Sequence, residues 1–281
     1  KGIELHDEEF ARIQQGETAS DNFAHLRGFK LDASKIEKSF KKILDCINDN
    51  EFVYLGSNPL KQSALFPIRD KKNTLAQAIH DFYQLKLSVG EIAYDFVITW
   101  MKAFEIGESF EINLFAGEAY EFKVSSFNSP GQLADKGMGS IQAMTLILRL
   151  ATVIHRCNRV KGKYTVLIEE PEQNLHPALQ SKLADMLHEV HVTDGIDFIV
   201  ETHSEYILRR SQVLVAENEY EVEPNENPFC VYYFPSDPKN KPYSMDYNPD
   251  GSFKQSFGNG FFDTASLSNL ELIKLKRQKQ A

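Results

Sequence analysis

Apolar and polar positions change period several times along the chain. From Ser34 to Ile47, the residues Ile36, Phe40, Ile43, Leu44 and Ile47 recur at helical spacing with lysines between them. This predicts an amphipathic helix, with Asp32 or Ser34 as its cap. Phe52-Val53-Tyr54-Leu55 reads as a short buried strand stopped by Gly56-Ser57-Asn58-Pro59. From Thr74 to about Phe104 the pattern is helical again, through Leu75, Ile79, Phe82, Tyr83, Ile92, Phe96 and Trp100, with a break near Ser88-Val89-Gly90. The period then drops to two. Phe110–Leu114 and Tyr120–Val124 alternate apolar and polar residues around a Gly117-Glu118 turn, which predicts a hairpin.

The middle of the chain is more apolar. Gly139–Ile154 reads as a core helix opened by a glycine-bearing loop. Tyr164–Ile168 reads as a buried strand, Pro177–Val190 as a helix, Ile196–Val200 as a second buried strand and Glu205–Leu214 as a helix. Apolar strands separated by helices indicate an α/β fold with a parallel-rich sheet covered on both faces. In such sheets chemistry collects at the carboxyl ends of the strands. Two polar clusters, Glu169-Glu170 and Thr202-His203, fall there. Further on, Phe229–Phe234 reads as a strand, Tyr243–Tyr247 as an edge strand paired with it, and the tail as a short helix. The divisions implied are residues 1–50, 51–108, 109–220 and 221–281.

Composition narrows the class. The 281 residues are 42% hydrophobic and 25% charged, in the range of a globular protein. No run of about 18 apolar residues is evident, which predicts no membrane-spanning helix and no membrane partner. The polar start carries no secretory pattern, and Cys46, Cys157 and Cys230 lack paired spacing, so a reducing cytoplasm is the expectation. A net charge of -9 argues against a basic nucleic-acid-binding coat, while leaving room for a local patch. Arg149, Arg156, Arg159, Lys161 and Lys163 cluster, as do Lys274, Lys276, Arg277 and Lys279, and both groups read as solvated helix faces and ends.

The chemistry starts with Tyr164-Thr165-Val166-Leu167-Ile168-Glu169-Glu170-Pro171-Glu172. Two carboxylates at the tip of a buried strand are costly unless they meet a cation or water. In a nucleotide site the first can hold Mg²⁺ through its water shell, and the second can orient and deprotonate an attacking water. Asn174-Leu175-His176-Pro177 follows at once. The run from Ile168 to Pro177 resembles the Walker B strand and D-loop of the ABC/SMC/RecF class of ATPases, in the form found in its bacterial overcoming-lysogenization-defect-like members. Val200-Glu201-Thr202-His203-Ser204 resembles the strand that ends in the switch histidine of that class. Asp135-Lys136-Gly137-Met138-Gly139-Ser140-Ile141-Gln142, ahead of an apolar helix, resembles the signature loop. Most members carry Asp where Glu169 stands. Tyr54-Leu55-Gly56 through Pro67-Ile68-Arg69 and the Gly260-Phe261-Phe262-Asp263 ending extend the resemblance to roughly residues 50–265.

The resemblance implies the C-terminal lobe of a P-loop NTPase head. Glu169 would take the Mg²⁺ site, Glu170 and His203 would be catalytic, and Gly137, Gly139, Ser140, Gln142 and Asn174 would touch ATP. It implies 1–50 as the remnant of a helical insertion, 51–108 as a strand and helical segment, 109–220 as the ATPase core lobe and 221–281 as a cap. No Gly-x-x-x-x-Gly-Lys-[Ser/Thr] occurs, so no backbone cradle for the β- and γ-phosphates is present. The chain lacks an initiating methionine and reads as a piece of a longer parent, or else as a split protein that borrows its phosphate loop. The implied partners are an N-terminal Walker A lobe of the same or another chain and a second head, in a homodimer, in a bacterial DNA repair or phage-defence setting. Two alternatives stand beside the ATPase. One is a non-catalytic dimerisation module on the same fold. The other is a metal-dependent nuclease built on Glu169, Glu170 and His203, for which the region after the last core helix is short.

Overall fold

In a computed structural model of the protein, residues 41–280 are described apart from 46, 57–62, 71, 127–128, 161, 221–226, 236, 238, 259–260 and 263. The chain divides into residues 1–49 and 50–281. In the first, residues 41–45 and 47–48 are helical; the rest of the helix expected from Ser34 lies outside the described residues.

The second part contains two sheets that matter for the site. β1 (Asn50–Leu55), β6 (Lys163–Glu169) and β7 (Ile196–Glu201) form a parallel sheet in the order β1-β6-β7. β2 (Phe66–Pro67), β3 (Ser109–Phe115), β4 (Ala119–Ser126) and β5 (Ser129–Gln132) form an antiparallel sheet around β4. The expected hairpin is β3–β4. The sequence reading missed β2 and β5, which are short and lack alternation.

Among the described residues of this part, six helices accompany these sheets along the chain. The stretch from Thr74 to Phe104 forms two helices, α1 (Thr74–Gln84) and α2 (Ile92–Ala103). The Asn73 side chain caps α1 by accepting from the Leu75 and Ala76 N–H groups, both at 3.1 Å. α3 (Met138–Arg159) is the central helix and packs against both α1 and α2. Its Met144, Ile147 and Leu150 share one core with Ile79, Met101 and Phe122. By length and composition alone α3 is long and apolar enough to cross a membrane, but 61% of its apolar window is buried within the protein. It is the spine of the core. Arg149 on α3 is also drawn inward. It pairs with Asp81 on α1 at 2.9 Å instead of lying on a solvated face, and burial lowers its pKa against the opposing pull of that carboxylate.

α4 (Pro177–Asp194) and α5 (Glu205–Glu217) pack against each other beside β7. Gly195 ends α4 in the left-handed conformation, φ 68°, which a residue without Cβ adopts freely, and the chain turns directly into β7. The C-terminal region forms a small hairpin, β8 (Tyr232–Tyr233) with β9 (Tyr243–Ser244), much shorter than the expected Phe229–Phe234 strand and its Tyr243–Tyr247 partner. An aromatic cluster replaces strand pairing there: Tyr233 meets Tyr243, Phe257 and Phe261 with ring centroids 5.0–5.5 Å apart. The Tyr247 hydroxyl bonds Ser211 Oγ at 2.8 Å and ties this region to α5. The tail helix, α6 (Thr264–Gln280), is longer than expected.

The parallel sheet corrects one expectation. Val53, Leu55, Val166, Ile168, Phe198 and Val200 face the core, but Phe52, Tyr54 and Ile199 on the opposite face are 45%, 61% and 58% exposed. The sheet is covered on one face, and β7 alternates buried and exposed residues. Apolar residues on both faces had suggested two covers; the described residues supply one.

Candidate functional site

Parallel pairing aligns the ends of β6 and β7. Glu169 lies opposite Glu201, and the Glu170 N–H donates to the Glu201 carbonyl at 2.9 Å. Beyond this last bond both chains leave the sheet. Glu170 does so with φ 43°, in the left-handed region that side chains with a Cβ rarely adopt. Such strain persists only where surrounding contacts enforce it. Two contacts do so here: the Gln173 N–H donates to the Glu170 carbonyl at 3.1 Å, and the Gln173 side-chain amide donates to Glu170 Oε2.

The turn aims the Glu170 carboxylate at the adjacent strand end. His203 Nε2 lies 3.6 Å from Glu170 Oε1. The Glu170 side chain is 32% exposed and the His203 side chain 69%, so the acid is sheltered while the imidazole is open to a ligand. Ser204 follows His203 and caps α5, accepting from the Ile207 N–H at 3.3 Å.

Glu169 points into a cavity of about 230 Å³ that Tyr54, Gly56, Gln142, Arg149 and Pro171 also line. The Tyr54 hydroxyl hydrogen-bonds Glu169, and this bond, with lesser contributions from burial and the charges of Glu169 and Glu201, holds the phenol above its ordinary pKa. Oxygen donors suit a hard cation such as Mg²⁺, which needs only one or two carboxylates when water and phosphate complete its shell. Among the described residues no three His, Cys, Asp or Glu side chains are grouped to hold a metal by themselves. Glu169 therefore fits Mg²⁺ in the shared-shell manner.

The glycine loop stands next to the D-loop turn. Gly137 is the N-cap of α3 and offers no side-chain cap, and the first turn of the helix carries no acid, so its free N–H groups and dipole favour an anion. Ser140 lies in that turn, its N–H bonded to the Gly137 carbonyl at 2.9 Å. Gly139 is needed for close approach: a Cβ there would lie 2.4 Å from the Asn174 carbonyl oxygen. Asn174 is exposed and left-handed, φ 61°. Glu169 and Gln142 share the cavity, Glu170 and His203 face each other, and Gly139 abuts Asn174. His176, immediately before Pro177, starts α4 by accepting from the Ala178 N–H at 3.3 Å.

Sequence reasoning gave no role to Glu172, Gln180 or Tyr54. Glu172 accepts from the His203 N–H at 2.7 Å, and Gln180 bridges Ser204 to the Leu175 carbonyl. Glu172 stood inside the Glu-Glu-Pro-Glu run, so its place was visible; its partner was not.

A parallel α/β sheet whose central strand delivers adjacent carboxylates beside a histidine on the next strand is an arrangement suited to nucleotide hydrolysis. The AAA ATPase domain family matches residues 19–208, and the chain belongs to that family. No curated protein sequence matches it. Similar solved structures include the Smc head domain with an extended coiled coil bound to the C-terminal domain of ScpA, from Pyrococcus furiosus. It is 13% identical, with 63% of this chain and 37% of that one covered and a TM-score of 0.35. The Smc head domain with a coiled coil and joint from Pyrococcus yayanosii is 15% identical, covers 63% and 29%, and has a TM-score of 0.34. A structure described under ATP-driven dimerization and DNA-stimulated activation of SMC ATPases is 10% identical, covers 64% and 92%, and has a TM-score of 0.35. This chain thus spans about a third of the length of the first two.

Proposed function

We propose that this chain is the acid-and-switch portion of an ABC/SMC-type ATPase head and that it hydrolyses ATP once a phosphate loop is supplied from outside these 281 residues. The observation that carries the reading is the Glu170–His203 pair, 3.6 Å apart at neighbouring strand ends, with the Glu170 backbone held in a strained turn. Glu170 takes the proton of the attacking water, and His203 reaches toward the γ-phosphate. Glu169 holds Mg²⁺, which when bound neutralises phosphate charge. Gln142, two residues beyond Ser140 on α3, belongs to the same signature loop and lies in the same cavity as Glu169. Gly137, Gly139 and Ser140 present an anion site to the nucleotide of an opposing head, and Asn174 lies in the loop between the two heads.

The exposed apolar face of the parallel sheet supports a missing complement. Phe52, Tyr54 and Ile199 are positioned to be covered by a phosphate-loop lobe, of the same parent or a partner. A homodimer of heads, with residues 109–220 as the ATPase core lobe and 221–281 as a cap, follows from this reading, as does work on nucleic acid in repair or phage defence.

The test joins the chain to a phosphate-loop lobe and follows Mg²⁺-dependent phosphate release. Glu170→Gln is expected to lower kcat by about 100-fold or more and to accumulate ATP-bound dimers. Full turnover by that variant overturns the assignment. The 281-residue chain alone is expected to release no phosphate.

A further inference from the structure

The loop after β6 and the loop after β7 are separate in sequence, yet one carboxylate joins them. Glu172 Oε1 accepts from the His203 backbone N–H at 2.7 Å. The other oxygen, Oε2, is buried and has no hydrogen-bond partner among the described residues. A glutamate in a surface turn ordinarily keeps both oxygens in water, because desolvating an unpaired carboxylate oxygen is unfavourable. Here the side chain is drawn inward, and its one bond goes to the backbone of the residue whose ring faces Glu170.

A second connection runs parallel to the first. Ser204 Oγ donates to Gln180 Oε1 at 2.6 Å, and Gln180 Nε2 donates to the Leu175 carbonyl at 3.0 Å. The turn at 171–176 is therefore fastened to the 202–204 loop at two points, Glu172 and Leu175. The same turn lies against α3, because the Asn174 carbonyl oxygen is 2.4 Å from where a Cβ on residue 139 would fall. The carboxylate at 170, the imidazole at 203 and the N-terminus of α3 are thus mechanically joined through one turn.

We propose that Glu172 is a positioning residue: it fixes the His203 backbone relative to the turn that carries Glu170, and so transmits movement of the 171–176 turn to the switch histidine. Its consequence for turnover rests on the ATPase reading above; the tie itself does not.

The test is amide hydrogen exchange on the 281-residue chain. In the wild type the His203 amide is expected to exchange at least about tenfold more slowly than its intrinsic rate, as a hydrogen-bonded amide does. Glu172→Ala should remove that protection while Val166 and Ile168 in the central strand keep theirs. Glu172→Gln, which retains an acceptor oxygen, should restore most of it. In the lobe-completed enzyme Glu172→Ala should lower kcat with little change in KM, with partial rescue by Gln.

Unprotected exchange at His203 in the wild type overturns the proposal, and this result does not depend on any variant folding. Unchanged His203 exchange in a folded Glu172→Ala chain overturns it as well. If the completed protein hydrolyses no ATP but the exchange pattern holds, the ATPase reading fails and the tie stands. If Glu172→Ala lowers turnover without altering His203 exchange, the tie fails and the ATPase reading stands.

Discussion

The two sheets of this protein obey the same alternation rule and reach opposite outcomes. In the antiparallel sheet, β4 turns Tyr120, Phe122 and Val124 inward to at most 1% exposure, while Glu121 and Lys123 on its other, half-buried face form an ion pair at 3.1 Å. In the parallel sheet, Val53, Val166 and Phe198 line the inner face, but the outer face also carries Phe52, Tyr54 and Ile199, all exposed, among polar residues such as Thr165 and Asp197. A strand with one polar face is finished when its apolar face is covered. A strand with apolar side chains on both faces has area left over for a second cover. The contrast is between the outer face of β4, which is polar, and the outer face at β1 and β7, which carries exposed apolar side chains; the candidate site lies at the end of the latter sheet.

The largest expected effect lies in the closed sheet. Phe122→Ala should cost about 3–5 kcal/mol in urea unfolding, because the side chain is fully buried between helices and strands. A loss near zero would dissolve the contrast from its closed side.

Next comes the support of α5, which flanks the parallel sheet. Burial pushes the Tyr247 phenol up to about 12, partly offset by its bond to Ser211. Its folded pKa is raised above the unfolded value, so its stabilisation is fully present below pH 10.0 and is lost as pH rises through about 12. The loss should be on the order of 2–3 kcal/mol, read as a falling urea midpoint across that window. Tyr247→Phe should flatten this part of the profile.

Gly139→Ala should cost about 1–3 kcal/mol, because its Cβ would meet the Asn174 carbonyl oxygen at 2.4 Å. Circular dichroism melting would show it. A neutral outcome would mean that the turn gives way freely, and the joining of α3 to the D-loop would be loose.

The smallest effect should come from the open face. Ile199→Thr keeps a β-branched side chain and should change stability by less than about 0.5 kcal/mol in this chain. The same substitution should cost more once a phosphate-loop lobe is present. An equal cost in both forms would remove the outer face from the proposed docking surface.

Much of this was legible in the residues themselves. The periodicities at 74–104, 110–124 and 164–200 led to helices, hairpin and parallel strands close to those observed, because apolar spacing reports burial directly. The departures have physical causes. β5 is four residues long, and β2 only two, so neither carries a period. The C-terminal region is organised by ring packing around Tyr233 instead of backbone pairing, which alternation does not record. The reading of two covers for the parallel sheet came from apolar composition, which shows that a face seeks cover but not whether this chain provides it.

By itself the sequence determined the α/β class, the acid-ended strand and the histidine-ended strand, because residue type and spacing are local properties. The tertiary structure supplied the register of β6 and β7 and the 3.6 Å approach of Glu170 to His203, and it alone decided that Gly139 sits against Asn174 and that Glu172 spans to the His203 backbone. Those are contacts between residues about thirty positions apart, set by how strands align and helices pack, and no local pattern specifies them.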